Sequence, residues 1–388
     1  MNILYVHTSS FENCGGIGRV TEINAKKFRE QGHNVYFFVL KKGATNRCFD
    51  FEQYFLTDNN YQNPVNLAYF RKVITDLKVD IIVSQSGVNT SSLQFIKEAT
   101  LPHIKITTCY HGAIKSIYDN YAIILRGNTN HKILKKVFQF NFVCKLMRYN
   151  YKRKMIKDLD YVITNSSNFV LLNENYIQEL RFYSNKFDFK KVISINNPLN
   201  YSNSSQEDVK KEKRLLYVGR INFSEKRCDL LPLLWEKVSQ KCPDWHFDIV
   251  GDGSKLNELK AIFAAKKLKN VTFHGYTEPF ALYQKASVLC LTSAIEGYGL
   301  VLVEAIENNV VPIAFDVSSG IKAALDYGRL GVLIPPFDFD LYCDELVKLF
   351  LDTNYRSCFT ENAKTFDFRT QNSVMYEKWF STFTQNSN

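Results

Sequence analysis

The sequence predicts an α/β fold made of two doubly wound domains, each built on a parallel sheet. Short apolar runs alternate with longer amphipathic runs, the pattern that β-α units produce. A polar, turn-rich stretch at 197–213, NPLNYSNSSQEDVKKEK, separates this alternation into two series. The chain has 388 residues, enough for two or three domains. We therefore predict a first domain at 1–197 and a second at 198–365.

The strands of both domains are predicted from the short apolar runs. In the first domain they fall at 3–6, 35–39, 81–83, 104–107, 161–164 and 192–195. In the second they fall at 215–218, 247–250, 271–273, 288–291, 311–314 and 331–334. Two such domains facing each other would leave a ligand cleft at the carboxyl ends of their strands. An aromatic-rich, helix-like tail follows at 366–388, and the residues alone leave open whether it packs on the second domain or returns to the first.

Composition and charge limit the classes of function. The first residues, MNILYVHTSS, predict a strand rather than a signal peptide, and we expect no membrane span. Nine cysteines without a CxxC pair or a metal-like spacing favour a reduced, cytoplasmic setting. The net charge is +10, and residues 121–157 hold ten basic residues and no acid. Since the rest of the chain is about neutral, we predict a local basic patch rather than a nucleic-acid-binding coat.

The chemistry concentrates at 292–304, TSAIEGYGLVLVE, which follows a predicted buried strand and enters a helical pattern. Gly297 and Gly299 let backbone N–H groups approach an anion, and the helix start at Leu300 adds its positive end. Glu296 lies in the turn and Glu304 about one turn into the helix, so both can face one ligand. Glu304 sits between apolar neighbours, where a carboxylate needs donors such as ribose hydroxyls. The alternative is a dipole-stabilising carboxylate and an ordinary helical glutamate.

Three further clusters follow predicted strands. After the strand that ends at Gly219, the segment LLYVGRINFSEKRCDLL offers Arg220 and Lys226, a planar donor fork and a mobile cation suited to a diphosphate. They could equally be solvated surface cations. The segment CGGIGRV brings Gly16 to a turn near the cleft but lacks the spacing of a dinucleotide fingerprint. His111, in TTCYHGA, could contact a sugar or phosphate, or serve only as a structural histidine.

Two Asp-x-Asp pairs are candidates for holding a metal-diphosphate. Asp158 and Asp160 precede a predicted strand instead of ending one. Asp338 and Asp340 open a predicted helix at 341–350, a typical N-cap setting. We interpret both pairs as structural and predict neither a required metal nor another cofactor.

These motifs together resemble the retaining family 4 glycosyltransferases of the two-Rossmann GT-B fold, including those that assemble bacterial surface glycans. The second half carries the resemblance through GRINFSEKRCDLL, IVGDGSKLNELK, VTFHGY and SAIEGYGLVLVEAIENNVVPIAFD. Glu296 and Glu304 reproduce the family's Glu-x7-Glu spacing within its surrounding pattern. The first half is similar more thinly, through GGIGRV, YHGA and DYVITNSS.

The resemblance implies a role for each candidate. Glu304 would bind the donor ribose, Arg220 and Lys226 would neutralise the leaving diphosphate, and His111 would contact the sugar near its anomeric carbon. The implied catalytic residues are Glu296, His111, Arg220 and Lys226. The implied donor-binding residues are Gly16, Gly219, Arg220, Lys226, Gly275, Tyr276, Glu296, Gly297, Tyr298, Gly299, Leu300 and Glu304. The tail would return to the first domain, as the last helix of that fold does.

Two positions depart from the family pattern. Asn309 stands where the family usually has a glycine, although asparagine tolerates the left-handed geometry of a helix end. Ser318, Ser319 and Gly320 replace a loop that often carries paired glycines, which bears on the identity of the sugar.

The implied reaction moves a sugar from a nucleoside-diphosphate sugar to a hydroxyl of a glycan or lipid-linked acceptor, with retention of configuration. The expected pathway is synthesis of lipopolysaccharide, capsule or another cell-surface polysaccharide. A front-face attack and a double displacement through Glu296 both fit the residues, and the resemblance favours the first. The rival hypotheses are a GT-B sugar-nucleotide epimerase, a phosphorolytic enzyme and a non-catalytic nucleotide-sugar-binding protein.

The basic segment is also amphipathic. Its apolar residues recur at helical spacing, namely Ile133, Val137, Phe140, Cys144, Met147 and Tyr151. Its interleaved cations are Lys135, Lys136, Lys145, Arg148 and Lys152. One interpretation is a core-packing helix with a solvated cationic face. The other is peripheral docking on the anionic inner face of the cytoplasmic membrane, and both can hold.

Overall fold

The computed structural model describes residues 1–8, 15–41, 50–58, 60–61, 63–128, 141–198 and 210–384. These residues form two compact units. The first comprises the described residues of Met1–Gly112, Asn150–Pro198 and Thr370–Asn388, and the second those of Ala113–Tyr149 and Leu199–Arg369. This division differs from the predicted boundaries in grouping 113–149 with the second unit. Most of the predicted linker, at 199–209, lies outside the described residues.

The first unit contains a seven-stranded sheet in the order β3-β2-β1-β4-β5-β6-β7. Its strands are β1 (Asn2–His7), β2 (Asn34–Val39), β3 (Gln53–Phe55), β4 (Ile81–Ser84), β5 (Lys105–Cys109), β6 (Asn168–Leu171) and β7 (Val192–Ser194). Each neighbouring pair is parallel. Parallel sheets are covered on both faces, which is why Ile3, Leu4, Tyr5 and Val6 form one uninterrupted buried run.

The second unit contains a six-stranded sheet in the order β10-β9-β8-β11-β12-β13. Its strands are β8 (Arg214–Val218), β9 (His246–Val250), β10 (Val271–Gly275), β11 (Val288–Leu291), β12 (Val311–Phe315) and β13 (Val332–Ile334). Each neighbouring pair is again parallel. The chain leaves β8 toward one edge of the sheet and returns to lay β11 on the other side of β8. The order of the strands therefore reverses between β8 and β11.

Helices connect the strands in both units. From the amino terminus to β7 they are Gly15–Glu30, Pro64–Asp76, Thr90–Ala99, Ser116–Asp119, Tyr121–Asn128, Asn141–Asn165 and Glu174–Tyr183. After β8 they are Leu231–Ser239, Leu256–Ala265, Phe280–Lys285, Leu300–Glu307, Ser319–Ala324, Phe339–Leu351, Thr353–Lys364 and Phe368–Thr384. Several begin at the polar caps that the sequence offers: the Asn63 side chain accepts from the N–H of Val65, and Asp338 accepts from Leu341 as predicted. Asn309 adopts the left-handed conformation, with φ 54°, just beyond Leu300–Glu307, as its position predicts.

The predicted fold is confirmed, with two corrections among the strands. The strand predicted at 161–164 is wrong, because these residues are the last turns of the helix Asn141–Asn165, and the strand follows at Asn168–Leu171. Asp158 and Asp160 consequently lie inside that helix and not ahead of a strand. The strand Gln53–Phe55 was not predicted.

The carboxyl-terminal helix packs on the first unit, which decides the question that the residues alone left open. Met375, Trp379 and Phe383 lie four residues apart on one helical face and belong to the core that also contains Ile3 and Phe28. The ring of Phe28 makes edge-to-face contacts with Trp379 and Phe383 at centroid distances of 6.1 and 5.3 Å. The helix thus completes the core of the amino-terminal sheet.

Candidate functional site

The candidate site of the second unit lies at the carboxyl ends of β8 and β11, where the strand order reverses. In open α/β sheets this position leaves a crevice, because the connections on its two sides run to opposite faces of the sheet. Two loops meet there, one at 219–227 and one at 292–299. The sequence predicted both loops as donor-binding segments.

Hydrogen bonds to backbone carbonyls join the two loops. The carbonyl of Glu225 accepts from the N–H of Ala294 at 2.7 Å, and the hydroxyl of Thr292 donates to the carbonyl of Lys226 at 3.0 Å. The Asn222 side-chain oxygen accepts from the N–H groups of Glu225 and Lys226, both at 2.9 Å. Lys226 is thereby held at a fixed position beside the second loop.

Lys226 and Glu296 form the central ion pair of the site. The Lys226 Nζ lies 2.5 Å from Glu296 Oε2, and the two side chains are only 18% and 15% exposed. Ser293 Oγ donates to the same carboxylate oxygen at 3.2 Å. A partly buried pair is screened less than a surface pair, so this contact fixes both side chains at the switch point.

Glu304 is positioned by a hydroxyl and by its helix. It lies one turn into the helix Leu300–Glu307 and is half-buried, and Tyr283 donates from its hydroxyl to Glu304 Oε2 at 2.9 Å. Tyr283 itself is buried. The carboxylate therefore meets the requirement for a hydrogen-bond donor that its apolar sequence neighbours imposed.

Gly299 determines how the helix Leu300–Glu307 begins. Its φ is 76°, and a Cβ there would lie 2.9 Å from Leu302 Cδ1 and 3.5 Å from Glu296 Cγ. A side chain would thus be strained and would press on Leu302 in the first turn of the helix, while it would make ordinary contact with Glu296. Tyr298, next to it, is buried, and this burial raises the pKa of its phenol to about 12. Gly297 lies between Glu296 and Tyr298 in the same turn.

Two predicted glycines, Gly219 and Gly275, lie with Gly251 along the carboxyl edge of β8, β9 and β10. The N–H of Gly219 donates to the carbonyl of Val250 at 3.0 Å, and the N–H of Gly251 donates to the carbonyl of Gly275 at 2.8 Å. A Cβ on Gly251 would lie 1.8 Å from the carbonyl oxygen of Gly219, so only glycine permits this approach. Tyr276, directly after β10, is 87% exposed.

Arg220 projects from the same edge. Its side chain is 67% exposed, and its guanidinium lies 3.6 Å from Glu225. Its backbone carbonyl accepts from the hydroxyl of Tyr217 at 3.2 Å. The backbone is thus fixed while the cationic head faces solvent, an arrangement suited to an incoming anion.

The remaining predicted residues belong to the first unit. His111 follows β5, and its Nε2 lies 2.6 Å from Gln85 Oε1, just after β4. Burial lowers the pKa of His111 to about 4, although a hydrogen bond with Asn197 acts in the opposite direction. Burial and the charge of His111 lower the pKa of His7 to about 3. Both imidazoles are therefore neutral at pH 7 and act as hydrogen-bonding groups.

Gly16 lies in the first turn of the helix Gly15–Glu30 and is exposed. The residues just before this helix, 9–14, lie outside the described part of the chain. Among the described residues no group of three or more histidine, cysteine, aspartate or glutamate side chains could hold a metal ion.

Two contacts were not predicted from the sequence. Asn120 donates from its side chain to the carbonyl of Ala294 at 2.8 Å, and Ser116 Oγ reaches the same oxygen at 3.4 Å. Tyr283 was also overlooked, although its apolar setting ahead of β11 marks it as a core residue. Neither an asparagine in a loop nor a tyrosine in a helix carries a spacing that would identify its partner.

Known proteins resemble this chain in sequence and in fold. Residues 202–366 match the family model described as glycosyl transferases group 1. An uncharacterized glycosyltransferase of Haemophilus influenzae is 27% identical over 325 residues, which is 83% of this chain and 82% of that protein. In two further curated relatives the alignments span only 56% and 52% of the relatives' own lengths.

Solved structures share the fold across both units. A mutant TarM of S. aureus, in complex with UDP, fondaparinux and alpha-GlcNAc-glycerol, superposes with a TM-score of 0.72 at 14% identity and covers 99% of this chain and 100% of its own. WaaG, a glycosyltransferase involved in lipopolysaccharide biosynthesis, gives a TM-score of 0.69 at 15% identity with coverage of 99% and 100%. The chain thus has the GT-B fold of these glycosyltransferases, and its residues 202–366 match the model of glycosyl transferases group 1.

Proposed function

We propose that this protein is a glycosyltransferase that moves a hexosyl or N-acetylhexosaminyl group from a nucleoside-diphosphate sugar to an acceptor hydroxyl, with retention of anomeric configuration. The observation that carries the proposal is the Lys226–Glu296 pair, 2.5 Å apart and beside the helix that presents Glu304. A diphosphate can be bound by a cation, a glycine-containing turn and the N-terminus of a helix. The Glu304 carboxylate, one turn further along that helix, can accept hydrogen bonds from a ribose.

The chemical step builds up negative charge on the departing diphosphate. The bond between the sugar's anomeric carbon and the diphosphate oxygen breaks, and the acceptor oxygen bonds to that carbon from the same face. The acceptor's proton passes to the departing phosphate oxygen. Lys226 and Arg220 would stabilise the charge that grows on the diphosphate, the kind of preorganised electrostatic contribution that often dominates catalysis.

Glu296 has a positioning role in this scheme. Its carboxylate is already bound by Lys226 and Ser293, and such stabilisation makes it a weaker nucleophile. This supports a front-face attack over a double displacement through Glu296. Glu296 and the backbone of 297–299 would hold the sugar. By the family resemblance, His111 stays a predicted contact of the sugar and Gly16 a predicted donor-binding residue.

We further propose that no metal is required, because two cations can supply the charge that a metal would otherwise provide. A chelator should leave the transfer rate unchanged. A rate that falls with the chelator and recovers on addition of a divalent cation would contradict this part of the proposal.

The acceptor is proposed to be a glycan or lipid-linked intermediate of cell-surface polysaccharide synthesis. Similarity in fold to WaaG and TarM supports this, since those proteins act in lipopolysaccharide biosynthesis and bind alpha-GlcNAc-glycerol, respectively. No helix in the described ranges is long and apolar enough to cross a bilayer. We propose a cytoplasmic enzyme that binds peripherally to the inner face of the membrane.

The helix Asn141–Asn165 refines the proposed membrane contact. Arg148 lies 4.4 Å above the ring of Tyr118, and Lys152 lies 3.7 Å above that of Phe182, so both cations contact the protein. Cys144 is buried, in line with a core-packing stripe. Lys135 and Lys136 lie outside the described residues.

A different face of this helix is exposed. Phe142, Leu146 and Tyr149 are 77%, 53% and 57% exposed and share one face with Lys145 and Arg153. Aromatic and aliphatic side chains among cations suit an anionic bilayer surface. We therefore propose this face, with Lys145, as the docking surface.

Vesicle sedimentation tests the docking surface. Replacing Phe142, Leu146 and Tyr149 together by Ser should reduce binding to anionic vesicles, whereas Leu351→Ser, at a site equally exposed elsewhere, should not. Equal binding by wild type and the triple variant would rule out this surface.

The transfer reaction is tested by product analysis. Purified protein with a panel of nucleoside-diphosphate sugars and a hydroxyl acceptor should release nucleoside diphosphate, and NMR of the product should show the donor's anomeric configuration. An inverted product would contradict retention. Conversion of the donor into another nucleotide sugar without acceptor would identify an epimerase, and donor binding without release would identify a binding protein.

A further inference from the structure

Lys211 joins two helices of the second unit at their carboxyl-terminal sides. Its Nζ donates to the carbonyl of Tyr283 at 2.8 Å and to that of Asn308 at 2.6 Å. Tyr283 lies in the helix Phe280–Lys285, and Asn308 caps the helix Leu300–Glu307. An ammonium group at helix carboxyl ends satisfies carbonyls that lack a partner within the helix.

Both residues held by Lys211 also hold Glu304. The Tyr283 hydroxyl donates to Glu304 Oε2 at 2.9 Å, and the Asn308 side chain donates to the Glu304 carbonyl at 2.8 Å. The four residues therefore form a closed ring of hydrogen bonds, running Lys211–Tyr283–Glu304–Asn308 and back. One contact orients the carboxylate and another fixes the backbone that carries it.

The ring of hydrogen bonds orients the Glu304 side chain on the short helix Leu300–Glu307. The buried residues of this helix anchor the backbone on both sides of Glu304, but the half-buried Glu304 side chain needs contacts of its own to hold one rotamer. A flexible glutamate would lose rotamer freedom on binding a ligand, and that loss weakens binding. Orienting the carboxylate in advance removes this cost.

We propose that Tyr283, fastened by Lys211, is a positioning residue that presents the Glu304 carboxylate to the ribose of the donor nucleotide. This inference rests on the proposed function, because it assumes that Glu304 binds the nucleotide. It predicts that removal of a single hydroxyl, remote from the transferred sugar, weakens donor binding and leaves the chemical step intact.

Tyr283→Phe tests the proposal with minimal disturbance, since the ring still fills its buried site. We expect the donor KM and the Kd for UDP to rise roughly tenfold, the size expected for a hydrogen bond to a charged group, with kcat within about twofold of wild type. Lys211→Met keeps the hydroxyl but removes its anchor, and should raise the same KM by a smaller factor.

Tyr342→Phe is the matched control. Tyr342 is another fully buried tyrosine of the second unit, and its hydroxyl donates to the carbonyl of Ile313 at 2.8 Å and accepts from the N–H of Leu291 at 3.1 Å. This variant should lower Tm and leave the donor KM unchanged. If Tyr283→Phe lowers Tm in the same way without changing KM or Kd, the tyrosine is only structural and the proposal is overturned.

The result also separates this inference from the proposed function. If Glu304→Ala weakens UDP binding and Tyr283→Phe does not, only the positioning role fails. If wild type binds neither UDP nor any nucleoside-diphosphate sugar, the proposed function fails, and the positioning role fails with it.

Discussion

The ion pair between Lys226 and Glu296 is the most consequential contact at the scale of single residues. Spacing in the sequence placed each residue in a loop after a strand, but seventy positions separate them, and no pattern predicted a 2.5 Å contact. Only the adjacency of β8 and β11 brings their loops together. The sequence therefore identified both residues as candidates, whereas their contact follows from the order of the strands in the sheet.

Removing the cation should impair the chemistry more than the fold. We expect Lys226→Ala to lower kcat by roughly 10²–10³-fold, because one electrostatic group that faces the developing charge is lost. Lys266→Ala removes a comparable ion pair with Glu236, at 2.6 Å, away from the site and should leave kcat unchanged. Steady-state kinetics would decide, and equal effects in both variants would contradict the assignment.

His7 and His111 of the first unit predict a dependence of stability on pH. Their pKa values are about 3 for His7 and about 4 for His111, against about 6.5 in an unfolded chain. Between pH 6.5 and pH 4 these histidines bind protons in the unfolded chain and stay neutral in the folded chain. The free energy of unfolding therefore falls as the pH falls through this range.

The variant His111→Gln isolates one of these contributions. It cannot bind the proton, so its Tm should decrease less steeply than that of wild type between pH 6.5 and 4.5. Thermal unfolding at several pH values measures this difference. Identical slopes for the two proteins would mean that His111 does not titrate as its burial implies.

At the scale of elements, the start of the helix Leu300–Glu307 depends on one glycine. Gly299→Ala should destabilise the protein by about 1–3 kcal/mol, the cost of a left-handed non-glycine residue, and should raise the donor KM by displacing Leu302 and with it the helix that carries Glu304. Gly328→Ala is the control, since its φ is 96° and its nearest neighbour lies 3.9 Å away. It should lose stability without a change in KM, and a KM effect of the same size in both would contradict the role of Gly299.

Asn120 supports the Glu296 loop from a segment that no motif marks. Asn120→Ala removes the donor to the Ala294 carbonyl, and we expect kcat/KM to fall by roughly three- to tenfold because a hydrogen bond of about 1 kcal/mol is lost beside Glu296. Asn362→Ala removes a similar bond, to the carbonyl of Arg329 at 2.9 Å, elsewhere on the second unit. Kinetics of the two variants should differ, and unaltered kcat/KM in Asn120→Ala would contradict the supporting role.

The wrongly predicted strand at 161–164 shows where local pattern fails. The residues Tyr161, Val162, Ile163 and Thr164 favour strands by propensity, yet they end a helix of 25 residues. Short apolar runs occur both in buried helical turns and in strands. The burial of Val162 and Ile163 is compatible with either structure. The strand β3 was missed for a related reason, since three half-buried residues give too little pattern.

At the scale of the whole molecule, the carboxyl-terminal helix links the end of the chain to the amino-terminal core. Its return was predicted through the family resemblance, whereas its residues alone allowed either unit. Trp379→Ala should lower the free energy of unfolding by about 3–5 kcal/mol, because a fully packed aromatic side chain leaves a cavity. Denaturant unfolding of this variant and of Val374→Ala, at a site 46% exposed, should show a large loss only for the first.

Calorimetric titration of nucleoside diphosphates, UDP among them, into wild type and Glu304→Ala tests whether the helix Leu300–Glu307 carries the nucleotide site. We expect one of these nucleoside diphosphates to bind wild type at one site, with a Kd at least tenfold higher in the variant, since a hydrogen bond to a charged group is lost. Failure of wild type to bind UDP or another nucleoside diphosphate, or an equal Kd in both proteins, would contradict this expectation.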